Sequence, residues 1–266
     1  MVDASAETDL AGALERARVD IRVLHDLSEL EDARRLFDAV WPADQTQLQP
    51  NLMKAIVHAG GYASAAYRAG EPVAAAFGFM GRTRREEGWH EHLHSHMAAV
   101  LPGYRDQHIG SAIKQHQRMW ALTHGIDTIV WTFDPLVRRN ALVNLVKLGA
   151  DVDGFEVDFY GSMADAINAD DPTDRLFAWW RVSSSRAAAA GRGELGPVDV
   201  IAAKGEGRDV LDVPLPDDIV ALRSSDPAAA ARWRLDVRQA LVSAFAQGRR
   251  ITGLSTTGGY VLERTP

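Results

Sequence analysis

Cysteine is absent from the 266 residues, which excludes disulfides, thiolate metal sites and a cysteine nucleophile. Long apolar runs are missing as well. No stretch approaches the roughly 20 residues of a membrane-spanning helix, and the N-terminal part lacks a basic start followed by an apolar core. The expectation is therefore a cytoplasmic protein with no membrane partner. Positive charge is in deficit, with 29 Lys and Arg against 36 Asp and Glu and a formal net charge of -7. No basic cluster stands out either, which disfavours a nucleic-acid partner, because nonspecific binding there rests on a basic surface. No fixed-period repeat is present.

What is present is ordinary for a soluble globular chain: 46% hydrophobic and 24% charged residues, and length enough for one large domain or two small ones. The chain is organised around Met97 to Lys114, MAAVLPGYRDQHIGSAIK. An apolar run ends at Val100, Pro102 and Gly103 break it, a polar loop follows, and a helix opens near Gly110. Ile109, Ala112, Ile113, His116 and Trp120 form its apolar stripe, and Gly125 stops it. A short loop feeding a helix leaves backbone N–H groups without intrahelical partners at the positive end of the helix dipole. Such a site suits a phosphate or diphosphate; the same pattern also serves as a plain strand-to-helix connection.

Before this unit, Ile21 to Leu24 reads as a strand. Ser28 with Glu31 reads as a capping box for a helix to about Trp41, and a second helix spans Asn51 to His58. Tyr62 to Tyr67 and Pro72 to Met80 form a hairpin, followed by a strand near His92 to Val100. After it come a strand at Thr128 to Phe133, a helix at Asn140 to Leu148 and a strand at Asp151 to Tyr160. Residues 183–197 are a linker-like shift in composition. A strand at 198–203 and a long helix capped by Asp226 follow, the latter with the stripe Ala230, Trp233, Val237, Leu241, Ala244 and Phe245. Ile251 to Leu254 and Tyr260 to Leu262 flank a turn and close the chain as a hairpin.

The order V-x-P-x-Y-R-x-x-x-I-G-x-A resembles the acyl-CoA site of the GNAT superfamily of N-acyltransferases, whose loop pattern is R/Q-x-x-G-x-G/A. Aligned on Pro102, Arg105 stands first, Gly110 sixth, and His108 where the family has Gly. Shifting the frame by two brings Gln107, Gly110 and Ala112 onto the pattern instead. The resemblance implies an α/β fold, a GNAT-type mixed sheet flanked by helices, with a smaller C-terminal α+β extension. Its expected division is a tail at 1–19, an acyltransferase core at 20–182, a linker at 183–197 and the extension at 198–266. WTFDPL at 131–136, RNA at 139–141, KLGA at 147–150, DFYG at 158–161, DRLFAWW at 174–180 and WRLDVR at 233–238 are similar to a bacterial subfamily of predicted acetyltransferases.

The resemblance further implies acetyl-CoA or another acyl-CoA as co-substrate, acetyl first and succinyl next, and a small primary amine such as an amino acid as acceptor. Ala98, Ala99 and Val100 would lie along the pantetheine. Arg105, Gln107, His108, Ile109, Gly110 and Ser111 would hold the diphosphate, with Asn140 as a further contact or merely a helix cap. Strand alternation puts His90, His92, His94, His96, Ala98 and Val100 on one face. His96 is the base candidate, with His94 second, since an imidazole titrates near neutrality. The plain reading is a cleft-lining ring, and a row of histidines also raises a metal site, which the absence of cysteine disfavours. Leu145 stands where the family often has a Tyr as general acid, so the resemblance leaves that acid missing, replaced by a residue elsewhere such as Tyr160, or unnecessary because a coenzyme A thiolate is a tolerable leaving group. Arg82, Arg84, Arg85, Arg138 and Arg139 are candidates to hold an acceptor carboxylate, and Asp174 with Arg175 reads as a local pair. The stripe containing Trp233 offers either a homodimer surface or a cover for the sheet. The alternative to an enzyme is a GNAT-shaped binding module without catalysis.

Overall fold

The structure, a computed structural model, describes residues 4–42, 48–161 and 171–264. In chain order its elements are α1 (Ala4–Ala17), β1 (Asp20–Val23), α2 (Leu27–Val40), α3 (Pro50–His58), β2 (Tyr62–Arg68), β3 (Glu71–Arg85) and β4 (Gly88–Val100). Then follow α4 (Ile109–Thr123), β5 (Thr128–Phe133), α5 (Arg138–Leu142), β6 (Asp151–Glu156) and β7 (Arg175–Arg181). The last are α6 (Ser185–Gly191), α7 (Val200–Gly205), β8 (Val210–Val213), α8 (Ile219–Ser225), α9 (Pro227–Ala246), β9 (Arg249–Leu254) and β10 (Tyr260–Arg264). The chain divides into two compact units, 1–131 with 181–188, and 132–180 with 189–266. That division differs from the expected linker at 183–197, most of which is helical or turn structure beginning with α6.

In the first unit the strands lie in the order β1-β2-β3-β4-β5. Neighbours from β1 to β4 are antiparallel, and β4 runs parallel to β5. This is the expected mixed sheet. One face packs on α2 and α3 through Leu30, Ala33, Leu36, Phe37 and Met53 against Ala63, Ala65, Ala75, Phe77, Met97 and Ala99. The opposite face meets α4. The expected N-terminal tail is a helix, α1, laid on α4. Arg118 of α4 donates to Asp9 of α1 at 2.8 Å, both side chains nearly dry, and its Nε donates to the Val182 carbonyl at 2.7 Å. Covered on both sides, α4 buries not only Ile109, Ala112 and Ile113 but also Lys114, Gln115, Gln117 and Arg118.

Local signals fall close to where expected, with two displacements. The capping box of α2 is Asp26 and Glu29 rather than Ser28 and Glu31. The Glu29 carboxylate accepts from the His25 and Asp26 amides at 3.0 and 3.2 Å, and these bonds hold it below the usual carboxylate range. The strand expected at 198–203 is α7 instead, because Asp199 caps it by accepting from the Ile201 and Ala202 amides. Only Val198 retains a bridge, to Ser255.

In the second unit β6 pairs antiparallel with β7, and β8-β10-β9 form a small sheet. The α9 stripe is buried at Ala230, Val237, Leu241 and Ala244. Asp174 and Arg175 form the expected local pair through the backbone, Arg175 Nη1 donating to the Asp174 carbonyl at 2.9 Å, while the Asp174 carboxylate takes Arg238 at 2.9 and 2.7 Å. Beside it, Arg234 grips Asp134 through two bonds of 2.9 and 2.8 Å and also reaches Asp171 at 2.7 Å. Arg223 spans the same two carboxylates at 2.6 and 2.8 Å. Burial alone would raise the Asp134 pKa, but the bonds from Arg234 and the charges of Arg234 and Arg223 hold it below the ordinary value. Removing one partner from such a dry cluster leaves the others uncompensated. Asp134→Asn is expected to lower stability by about 3 kcal/mol, read as a shift in the urea midpoint. A loss within experimental error would show that the cluster is not structurally needed.

Candidate active site

The site is built by a mismatch in length between β3 and β4. Phe77 pairs with Met97 and Gly78 with Ser95, so His96 has no partner and forms a bulge. The extra residue interrupts the alternation expected from His90 to Val100. His94 and His96 stay on the α2 side, against Phe79, with ring centroids 4.9 and 5.7 Å away. Met97 and Ala99 follow them into the core under α2. Val100 turns to the α4 side, where it faces Gly110. The histidines and Val100 therefore do not share one face. Glycine at 78 is required by this geometry: a Cβ there would sit 2.8 Å from the His94 carbonyl oxygen.

Beyond the bulge β4 has an open edge. Among the described residues its ladder with β5 consists of Leu93 with Ile129 and His94 with Val130. His96 and Ala98 are exposed along the remaining stretch. Burial pushes the His94 ring down to about 4, helped by the charges of His96, His92 and Lys114. Partial desolvation of the His96 ring, which lies against Phe79 although the residue is open at the strand edge, lowers it as well. Both imidazoles are thus neutral at pH 7 and able to accept a proton. The rings of His92, His94 and His96 stand in a row with centroids 6.5 and 6.2 Å apart. Among the described residues no three ligating side chains converge.

The loop from Val100 to α4 is brought alongside this edge. Ala112 is the first α4 amide with a backbone partner, the His108 carbonyl at 3.0 Å. The amides of Ile109, Gly110 and Ser111 precede it at the helix mouth. His108 caps the helix in the left-handed region at φ 63, and Asp106 has φ 61. His108 therefore holds the backbone conformation that glycine adopts without cost, consistent with its alignment on the family's Gly. Gln107 is exposed but engaged: its oxygen accepts from Arg68 and its amide donates to the Gly103 carbonyl. Arg68 also donates to the Ala17 carbonyl at the end of α1.

The first unit thus gathers Ala98, Val100, Arg105, Gln107, His108, Ile109, Gly110 and Ser111, with Ala99, His94 and His96 on the other face of the same strand. Asn140 belongs to the second unit and is exposed on α5. So do Leu145, which is buried in a π-helical turn at 143–147, and Tyr160, whose hydroxyl bonds to Thr132 at 2.9 Å. Arg138 is committed to Asp217, and Arg82 lies over the Trp89 ring.

The residue missed in the sequence is Lys114. It is buried on the α4 side, where Nζ donates to Ser95 Oγ at 2.9 Å and to Gln117 Oε1 at 3.0 Å. The amine lies 3.9 Å from the Trp131 ring centroid, and burial pushes it down to about 7. Nearby, Tyr62, Ser64 and His116 form a second buried polar chain with contacts of 2.8 Å. A cavity of about 490 Å³ lies elsewhere, at the start of β4 and the end of α4 between Trp89, His90, Trp120 and His124. It shares no residue with the loop.

Residues 27–149, just under half of the chain, match the Acetyltransferase (GNAT) family, and the assignment is limited to that stretch. Comparison with curated proteins finds no match. Among solved structures the chain is similar to an N-acetyltransferase from Staphylococcus aureus Mu50, at 15% identity and a TM-score of 0.46 over 62% of this chain and 99% of that one. It is also similar to a GNAT-family acetyltransferase from Streptococcus pneumoniae, at 15% identity and a TM-score of 0.44 over 60% and 97%. The assignment rests on the family match, not on these likenesses.

The neutral rings carry a pH signature. His94 and His116 are both pushed down to about 4 by burial, whereas the unfolded chain takes up protons near 6.5. Their contribution is present above 6.5 and is lost as pH falls toward 4. Stability should drop by about 2 kcal/mol per ring between pH 7 and pH 5. Urea titrations at the two pH values test this, since the His116→Gln variant must show a shallower drop than wild type.

Proposed function

We propose that the chain is an acyl-CoA-dependent N-acyltransferase that moves an acetyl or succinyl group to a small primary amine such as an amino acid. The observation that carries this reading is the juxtaposition of two backbone surfaces. Helix-mouth amides at 109–111 follow a loop with two left-handed residues, and the open edge of β4 lies beside them. The first suits a diphosphate, and the second suits an extended amide-bearing arm.

On this reading the amides of Ile109, Gly110 and Ser111 hold the diphosphate and Arg105 adds charge. Gln107 acts by fixing the loop to Arg68 rather than by direct contact. Bound acyl-CoA supplies an activated acyl carbon and a thiolate that leaves readily. The chain's own groups do the rest. A backbone N–H between Met97 and Val100 polarises the thioester carbonyl. His96, exposed at the bulge with its ring neutral, takes the proton from the incoming ammonium directly or through water, and His94 is the second candidate. No general acid from Leu145 is needed, because a thiolate tolerates departure unprotonated.

Two measurements follow. Calorimetric titration should show binding of acetyl-CoA, succinyl-CoA or free CoA with Kd on the order of micromolar, and the absence of all three would end the acyl-CoA reading. Once an acceptor is found, kcat/KM should fall with decreasing pH through the His96 pKa, which partial desolvation places below 6.5. His96→Gln should reduce kcat by about 10²-fold and remove that acid limb; an unaltered rate strikes His96 from the machinery.

A further inference from the structure

Lys114 presents an imbalance between donors and acceptors. Its amine has three donors, of which two are used by Ser95 Oγ and Gln117 Oε1. The Trp131 ring also lies against the amine at 3.9 Å. Gln117 is completely buried, and its Nε2 has no hydrogen-bond partner. Among the described residues no carboxylate pairs with Lys114. A dry cluster therefore holds spare N–H donors and a basic amine with no counter-charge, and buried donors call for acceptors. Water would bring two donors of its own into a group already rich in them. A carboxylate accepts through two oxygens and donates nothing.

The cluster also has a telling position. The β4–β5 ladder ends at His94 and Val130. The residues immediately after them, Ser95 and Trp131, both contact the Lys114 amine. The amine thus marks the point where the two parallel strands stop pairing. Ser95 and Met97, where the proposed oxyanion-polarising stretch of β4 begins, oppose adjacent residues of β3, so the bulge keeps them within two strand residues, at most about 6.6 Å. A four-carbon dicarboxylic chain places its far carboxylate three carbon–carbon bonds from the thioester carbon, roughly 4 Å when extended.

We propose that Lys114 and Gln117, braced by Ser95, receive the distal carboxylate of the acyl group, so that the preferred donor is the CoA monothioester of a short dicarboxylic acid rather than acetyl-CoA. This rests on the acyl-CoA reading above and assigns the choice of acyl group to α4. Arrival of the carboxylate completes the hydrogen bonding of Gln117 Nε2 and keeps the Lys114 amine protonated. An acetyl group reaches neither donor.

The test is a calorimetric titration of the full chain with succinyl-CoA and with acetyl-CoA, comparing wild type, Lys114→Met and Gln117→Leu. In wild type succinyl-CoA should bind about tenfold more tightly or better. The ratio should collapse toward one in Lys114→Met and shrink in Gln117→Leu, two substitutions at separate positions that guard against one variant failing to fold. A wild-type ratio near one, or a ratio preserved in both variants, overturns the proposal while leaving acyl-CoA binding intact. If neither thioester nor free CoA binds, it is the acyl-CoA reading that fails, and with it the assignment to an acyl chain. Thermal unfolding in sodium succinate and sodium chloride at matched ionic strength then decides whether the cluster receives a free anion. A midpoint raised in wild type but not in Lys114→Met supports that shared chemistry, and equal midpoints exclude it.

Discussion

One unpaired residue governs the first unit. Because His96 is extra in β4, the strand bends and the side chains after it exchange faces. Without that insertion, strict alternation would place Ala98 and Val100 beside the histidines and would turn Met97 and Ala99 away from the α2 core. With it, the same strand offers neutral imidazoles to one layer and a smooth apolar approach to the α4 loop on the other. Gly78 is the cost of the arrangement, since the closeness of the His94 carbonyl leaves no room for a side chain. The early end of the β4–β5 ladder belongs to the same distortion, because a strand that twists at a bulge no longer presents its edge in register to a parallel neighbour.

The second unit depends on charge rather than on a backbone irregularity. Asp134, Asp171 and Asp174 face Arg223, Arg234 and Arg238 in one nearly dry group. Three of the sequence motifs meet there: WTFDPL contributes Asp134, DRLFAWW contributes Asp174, and WRLDVR contributes Arg234 and Arg238. Such clusters rarely add stability beyond what well-packed apolar residues would give. Their geometry is demanding, however: the Asp134–Arg234 pair is bidentate, and Tyr260 closes the same loop by donating to the Pro135 carbonyl at 2.8 Å.

The strand–loop–helix at Met97 to Lys114, the hairpins, and the long helix capped by Asp226 were legible because each is written in local pattern. The bulge was not, since it exists only as a difference in residue count between two paired strands. Lys114 was hidden for another reason: Lys and Gln on a helix read as its solvent face, and nothing near Gly110 announces that Lys114 turns inward onto Ser95 and Trp131 of the sheet. The helix at Val200 was misread because Val-Ile-Ala-Ala suits a strand by propensity, while its true start depends on Asp199. The ionic cluster needed partners from three regions far apart in the chain, although the segments themselves stood out. His108 is the instructive intermediate case. Its mismatch with the family pattern was visible in the letters, and its left-handed backbone shows how a non-glycine fills the position.

The path of the chain has a consequence for how the protein is made. The first unit is not complete at residue 131, because the chain returns to it at 181–188 after entering the second. There the Val182 amide donates to the Asp127 carbonyl at 2.9 Å, and its carbonyl accepts from Arg118. A growing polypeptide at about 5–20 residues per second needs roughly 3–11 s to add the 57 residues from 131 to 188. For that interval Arg118 waits at its α4 position with Asp9 satisfied and its second acceptor not yet synthesised. Strand β4 is translated early, but the unit holding it is closed only after the first stretch of the second unit, 132–180, has been added.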